Sequence, residues 1–158
     1  MDKDFDLWVL LLRTYHLLNR LRRHELQQFD IPSSQAFILV ILQALGGETT
    51  QAKISQYAYQ QRSSISELLK RMEKRGLILK TKRSSSNANI TVKLAKKGYY
   101  LLDNVMKRES IHKVMSVLTE ERRSELESSL KLLRNKAVEE LIYHEEDVAP
   151  STALIEGV

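Results

Sequence analysis

The spacing of apolar residues changes twice along this chain, which predicts helices, then a hairpin, then helices again. From Phe5 to about Phe29, Leu7, Leu10, Leu11, Leu18 and Leu21 recur at helical spacing. Trp8, Val9, Leu12, Tyr15 and Leu17 widen that stripe beyond one face. A helix apolar most of the way round needs cover on more than one side. In so short a chain a second copy is the simplest source of it. Asp30-Ile-Pro-Ser-Ser34 breaks the pattern and offers a capping hydroxyl, so a second helix is expected from about Gln35 to Leu45, stopped by Gly46-Gly47. Thr49 or Thr50 then caps a short helix reaching about Tyr59, with Ala52, Ile54 and Ala58 as its apolar positions.

The fourth helix has the cleanest pattern. Ile65, Leu68, Leu69 and Met72 fall at i, i+3, i+4 and i+7 and share one buried face. Its opposite face carries Arg62, Ser63, Ser64, Ser66, Glu67, Lys70, Arg71 and Lys74, and Gly76 marks its stop. After Gly76 the period falls to two. Ile78, Lys80 and Lys82 alternate with Leu79, Thr81 and Arg83; residues 84–89 make a polar turn; Ile90, Val92 and Leu94 alternate with Thr91 and Lys93. That is a β-hairpin. Ala95 to about Leu118 is expected as one long helix. Thr119 caps a last helix in which Leu126, Leu130, Leu133, Ala137 and Leu141 form a narrow seam suited to helix–helix packing. Residues 146–158 show no sustained period and are expected to be a flexible tail.

Charge sharpens this picture. The 158-residue chain has a net charge of +5 and no cysteine. Between Gln60 and Gly98 eleven Lys and Arg face two acids, a local +9, whereas Thr119 to Asp147 carries a net −4. Such asymmetry implies that the middle meets a polyanion, and double-stranded DNA is the natural one. Two short helices joined tightly, the second with a basic polar face, form a helix-turn-helix. Hydroxyls and Arg on that face can bond base edges, while Lys neutralises phosphates. Glu67 can accept from a cytosine amino group or pair with Lys70 or Arg71 along the helix. Lys80, Lys82 and Arg83 put cations at the hairpin root. Ser34, Thr50 and Gln51 stand at helix starts, where free N–H groups favour phosphate or serve only as capped ends.

Other chemistries find little support. His16, His24, His112 and His144 show no i, i+4 ligand spacing, and there is no thiol to complete a metal site. No Gly-rich phosphate loop or nucleophile motif is present, so neither an enzyme nor a cofactor is expected. The acidic start, Met1 to Asp6, is unlike a secretory signal, and the run from Leu7 to Leu12 is too short to span a membrane. A cytoplasmic protein is the expectation.

The order of elements, with Glu73-Lys-Arg-Gly76-Leu-Ile78 followed about twenty residues later by Leu94-Ala-Lys-Lys-Gly98, resembles the MarR family of bacterial winged-helix regulators. The resemblance covers about Leu7 to Leu141. It implies a mainly α fold with a small hairpin wing: a winged helix-turn-helix lobe over about 34–95, within a single domain of residues 1–145. It also implies an obligate homodimer held by about 5–29 and 96–143, repressing nearby genes and often released by a small ligand. Two positions depart from the family. Asn87-Ala-Asn89 stands where family wings carry Asp-x-Arg, so a groove contact there would come from Asn87 or Asn89, with Arg83 supplying charge. Ala95 replaces a capping Thr and forgoes a bond typically worth ~1 kcal/mol. Trp8, Arg13, Tyr15 and His16 on the first helix are candidates for an effector pocket or simply core. The alternative function is a winged-helix interaction module whose basic face docks an acidic protein.

Overall fold

A computed structural model describes residues 2–82 and 90–142. Arg83, Asn87, Asn89 and the tail at 146–158 therefore lie outside the described residues. Among those described, seven helices and three strands follow in order: α1 (Lys3–Gln27), α2 (Ser33–Ala44), β1 (Glu48–Thr50), α3 (Gln51–Ala58), α4 (Arg62–Lys74), β2 (Ile78–Lys82), β3 (Ile90–Leu94), α5 (Lys96–Val105), α6 (Glu109–Met115) and α7 (Glu120–Ile142). The mainly helical fold with a hairpin matches the sequence expectation.

Local chemistry sets most of these boundaries. The Asp2 carboxylate caps α1 by accepting from the Asp4 and Phe5 amides. At the end of α2, Gly47 N–H donates to Leu42 O and Gly46 N–H to Gln43 O, a paired closure that needs the left-handed backbone of Gly46. The end of α4 closes the same way, with Leu77 N–H on Met72 O and Gly76 N–H on Glu73 O. Thr50 caps α3 by accepting from Lys53 N–H at 3.2 Å. The expected hydroxyl cap of α2 is absent, however. Pro32 holds the cap position, and Ser33 and Ser34 already lie within the first turn.

The sheet is antiparallel in the order β1-β3-β2. β1 is a strand the sequence did not announce, because three residues are too few to show a period. It pairs Glu48, Thr49 and Thr50 with Lys93, Val92 and Thr91, while β2 pairs Ile78 with Leu94 and Lys82 with Ile90. The core lies beneath this sheet and between α2, α3, α4 and α5. Ile38, Leu39, Leu42, Ile54, Ile65, Leu69, Met72, Ile78, Val92 and Leu102 are all buried in it. The four apolar residues expected on the inner face of α4 are the four it buries.

One expectation fails. Ala95 to Leu118 is not a single helix: α5 ends at Val105, and α6 starts at Glu109 after Arg108 adopts a left-handed backbone (φ 55°). The break is held by α1. Arg22 donates to the Val105 carbonyl at 2.6 Å, and Glu25 accepts from the Glu109 amide at 2.8 Å and from the Ser110 amide and hydroxyl. Arg22 and Glu25 also bond each other at 2.5 Å. These bonds satisfy backbone groups that an interrupted helix leaves without partners. Burial pushes the Glu25 carboxyl up, but Ser110 and Arg22 outweigh it and hold the group below its usual value.

Outside this lobe the chain leaves many of its apolar residues uncovered. On α1, Phe5, Leu7, Trp8, Leu10 and Leu17 are about 60% or more exposed, and α7 buries none of its described side chains.

Candidate nucleic-acid interface

The outer face of α4 is continuous and polar. Arg62, Ser63, Ser64, Glu67, Lys70, Arg71 and Lys74 are exposed, and Ser66 is half-buried at its edge. Their spacing follows from that of Ile65, Leu68, Leu69 and Met72, which turn inward every three or four residues and leave the rest outward. Gln61 caps the helix without a side-chain bond, so Arg62 opens an N-terminus whose first amides face outward from the capping position.

Two ion pairs modify this face. Lys70 Nζ lies 2.7 Å from Glu67 Oε1, both side chains being well exposed. The Glu67 carboxyl is held below the usual carboxylate range by its hydrogen bond to Lys70, helped by the charges of Lys70, Arg71 and Lys80. Lys80 Nζ lies 3.3 Å from Glu73 Oε2, with its side chain only 17% exposed. No carboxylate among the described residues pairs with Arg62, Arg71 or Lys74. Arg75 is different. Its guanidinium donates to Gln35 Oε1 at 2.8 Å and to the Asp30 carbonyl at 2.5 Å, tying the end of α4 to the α1–α2 turn. Of the cations in the basic middle, Arg75 is thus structural.

The pleat sorts the hairpin residues. Paired residues share a face, so Ile78 with Leu94, Lys80 with Val92 and Lys82 with Ile90 lie on the side where Ile78, Val92 and Leu94 are buried. Lys80 lies against α4 because of this register, and Lys82, further along the same face, is exposed. Alternation with Ile78 already carried that signal in the sequence. The other face holds Thr50, Thr91 and Thr81 on one rung. The sheet therefore separates Thr50 from Lys80 and Lys82, and the Thr50 oxygen already accepts from Lys53. Gln51 is half-buried with its Oε1 unpartnered among the described residues, and Ser34 is exposed in the first turn of α2.

The four effector candidates stay on the outside of α1. Trp8, Arg13, Tyr15 and His16 are exposed, with Tyr15 and His16 in tilted ring contact at 5.5 Å. A cleft of about 50 Å³ does form between α1 and α6, but Leu18, Leu21 and Arg22 line its α1 side. It is well below the ~300 Å³ at which small-molecule pockets begin. The Arg22–Glu25 clasp and the Arg75 tie gave no sequence signal, since each joins residues about 40 to 85 positions apart.

Comparison with known proteins agrees with this geometry. A family model described as MarR family matches residues 29–88. No curated protein matches the sequence directly. Among solved structures, the ligand-free organohalide-sensing transcriptional regulator RdhR-CbdbA1625 aligns over 96% of this chain and 90% of its own, with a TM-score of 0.83 and 26% identity. Its 2,4-dichlorophenol-bound form aligns over 86% of this chain and 82% of its own, with a TM-score of 0.79 and 28% identity. MepR of S. aureus, solved with DNA, shares the fold over 86% of this chain and 99% of its own, with a TM-score of 0.74 and 22% identity. With the family's pattern matched over residues 29–88 and the fold of a regulator shared over nearly the whole length, the chain is similar to MarR-family transcriptional regulators in both its lobe and its overall architecture.

Proposed function

We propose that this chain works as a homodimer that binds specific duplex DNA and represses neighbouring genes. The observation that carries it is the outward stripe of α4, where Arg62, Arg71 and Lys74 stand without carboxylate partners among the described residues while the apolar side is buried. A helix of this kind fits the major groove, its Ser and Arg meeting base edges and its Lys meeting phosphates. Lys82, with Arg83, Asn87 and Asn89 beyond it, flanks the duplex; Ser34 and Gln51 approach phosphate from helix starts. Lys80 contributes charge from behind, through its pairing with Glu73.

The dimer is formed by segments 5–29 and 96–143, where one copy leaves Leu7, Trp8, Leu10, Leu17, Leu130 and Leu133 exposed. Two-fold symmetry gives a palindromic operator with half-sites about one turn, ~10 bp, apart. A small-molecule effector that releases the DNA would bind near Trp8, Arg13, Tyr15 and His16, with the second subunit supplying the missing wall. The dichlorophenol-bound relative supports an aromatic ligand of this kind.

Selection of bound sequences from random duplex DNA tests the proposal. A two-fold symmetric motif should be enriched, and its affinity should fall steeply with salt as bound counterions are released. Recovery of unselected sequence, or affinity indifferent to salt, would remove DNA reading as the function.

A further inference from the structure

The outer face of α4 has an acid near its middle, in a surface otherwise suited to a polyanion. Glu67 stands with Ser63 and Ser64 one turn before it and Lys70 and Arg71 one turn after, all exposed. A carboxylate carried toward DNA is repelled by the phosphates and has no acceptor role to play there except toward a base donor. The Lys70 bond satisfies one of its oxygens, Oε1, and leaves Oε2 without a hydrogen-bond partner among the described residues.

We infer that Glu67 is a specificity-determining residue that selects cytosine at one position of each half-site. This deepens the DNA-reading proposal and rests on it. The chemistry is one of exclusion. An ionised carboxylate has only acceptors, and its attraction to Lys70 and Arg71 keeps it ionised at neutral pH. Guanine and thymine present acceptors in the major groove where α4 would approach: N7 and O6 of guanine, O4 of thymine. Both repel Glu67. Adenine offers an amino donor at N6 but sets the N7 acceptor beside it. Cytosine offers the N4 amino group with no acceptor on its own major-groove edge, so it is the base this side chain tolerates best. Lys70, three residues on, holds the carboxylate toward the exposed surface and partly cancels its charge before DNA arrives.

Glu67→Gln separates this role from a merely structural ion pair. The carboxamide has nearly the same shape, and position 67 is exposed, so the core is unchanged. A glutamine can donate to N7 and accept from N6, the paired contact that favours adenine. Selection from random duplex DNA, run in parallel on the wild-type protein and Glu67→Gln, should enrich cytosine at one column per half-site for the former. For the variant that column alone should move to adenine, with discrimination changed by roughly tenfold. Losing the carboxylate should also tighten binding to unrelated DNA and steepen its salt dependence, because Lys70 is freed for a phosphate. Identical motifs from the two proteins would overturn the inference while leaving DNA reading intact. Absence of any enriched motif for the wild type would overturn both.

Discussion

Arg71 and Lys82 are both exposed cations, but their positions give them different duties. Arg71 lies on the outward stripe of α4 beside Glu67, where a guanidinium can bond two acceptors of one base. Lys82 stands exposed at the end of β2, off the α4 stripe, where the proposed contact is with phosphate. Arg71→Ala is expected to lower the preference for the selected motif over unrelated DNA by about 1–3 kcal/mol, measured by competition. Lys82→Ala should weaken all sequences alike and reduce the slope of log affinity against log salt by about one. At Gly98 steric demand is decisive. A Cβ there would sit 2.1 Å from the Leu77 carbonyl oxygen, which already accepts from the Ala95 amide. Backbone cannot swing aside as a side chain can, so Gly98→Ala should destabilise the lobe by about 1–3 kcal/mol in denaturant titration.

At the scale of elements, the break between α5 and α6 has the clearest energetic signature. The Glu25 carboxyl lies below its usual value of 4.5 in the folded chain, so its contribution is complete above that pH and is lost as pH falls through the folded-state value. Glu25→Gln should therefore be less stable than the wild type at neutral pH, and the difference should shrink on acidification below about 4.5, followed by circular dichroism. The sequence announced α4, its buried face and the hairpin because each shows an unbroken period over several residues. It also located the stops at Gly46 and Gly76, where left-handed backbone favours glycine. It did not announce the α5–α6 break. Tyr99, Leu102, Val105 and Met106 continue the helical spacing, and the cause of the interruption lies on α1, some eighty residues upstream. The candidate interface was legible to a similar depth. The exposed stripe follows from helical periodicity, whereas the use of Arg75 to anchor a turn depends on Asp30 and Gln35 arriving from elsewhere.

For the molecule as a whole, the uncovered surfaces of α1 and α7 set the state of assembly. Leu126, Leu130, Leu133 and Leu141 recur along one stripe of α7 and are 42–53% exposed, while Trp8 and Leu17 on α1 are 60% and 67% exposed. Exposed apolar area on this scale marks an association surface. Sedimentation should give twice the chain mass of 18.3 kDa, and Leu130→Glu should shift the equilibrium toward single chains and lower operator affinity by removing one of the paired lobes. The far end of the chain follows from the same feature. In the proposed homodimer α7, with no buried side chain among those described, would draw its order from the second copy, so the protein's abundance would become a variable in its folding. Dilution would then act as a denaturant of that helix, and limited proteolysis at falling protein concentration should cut within α7 first.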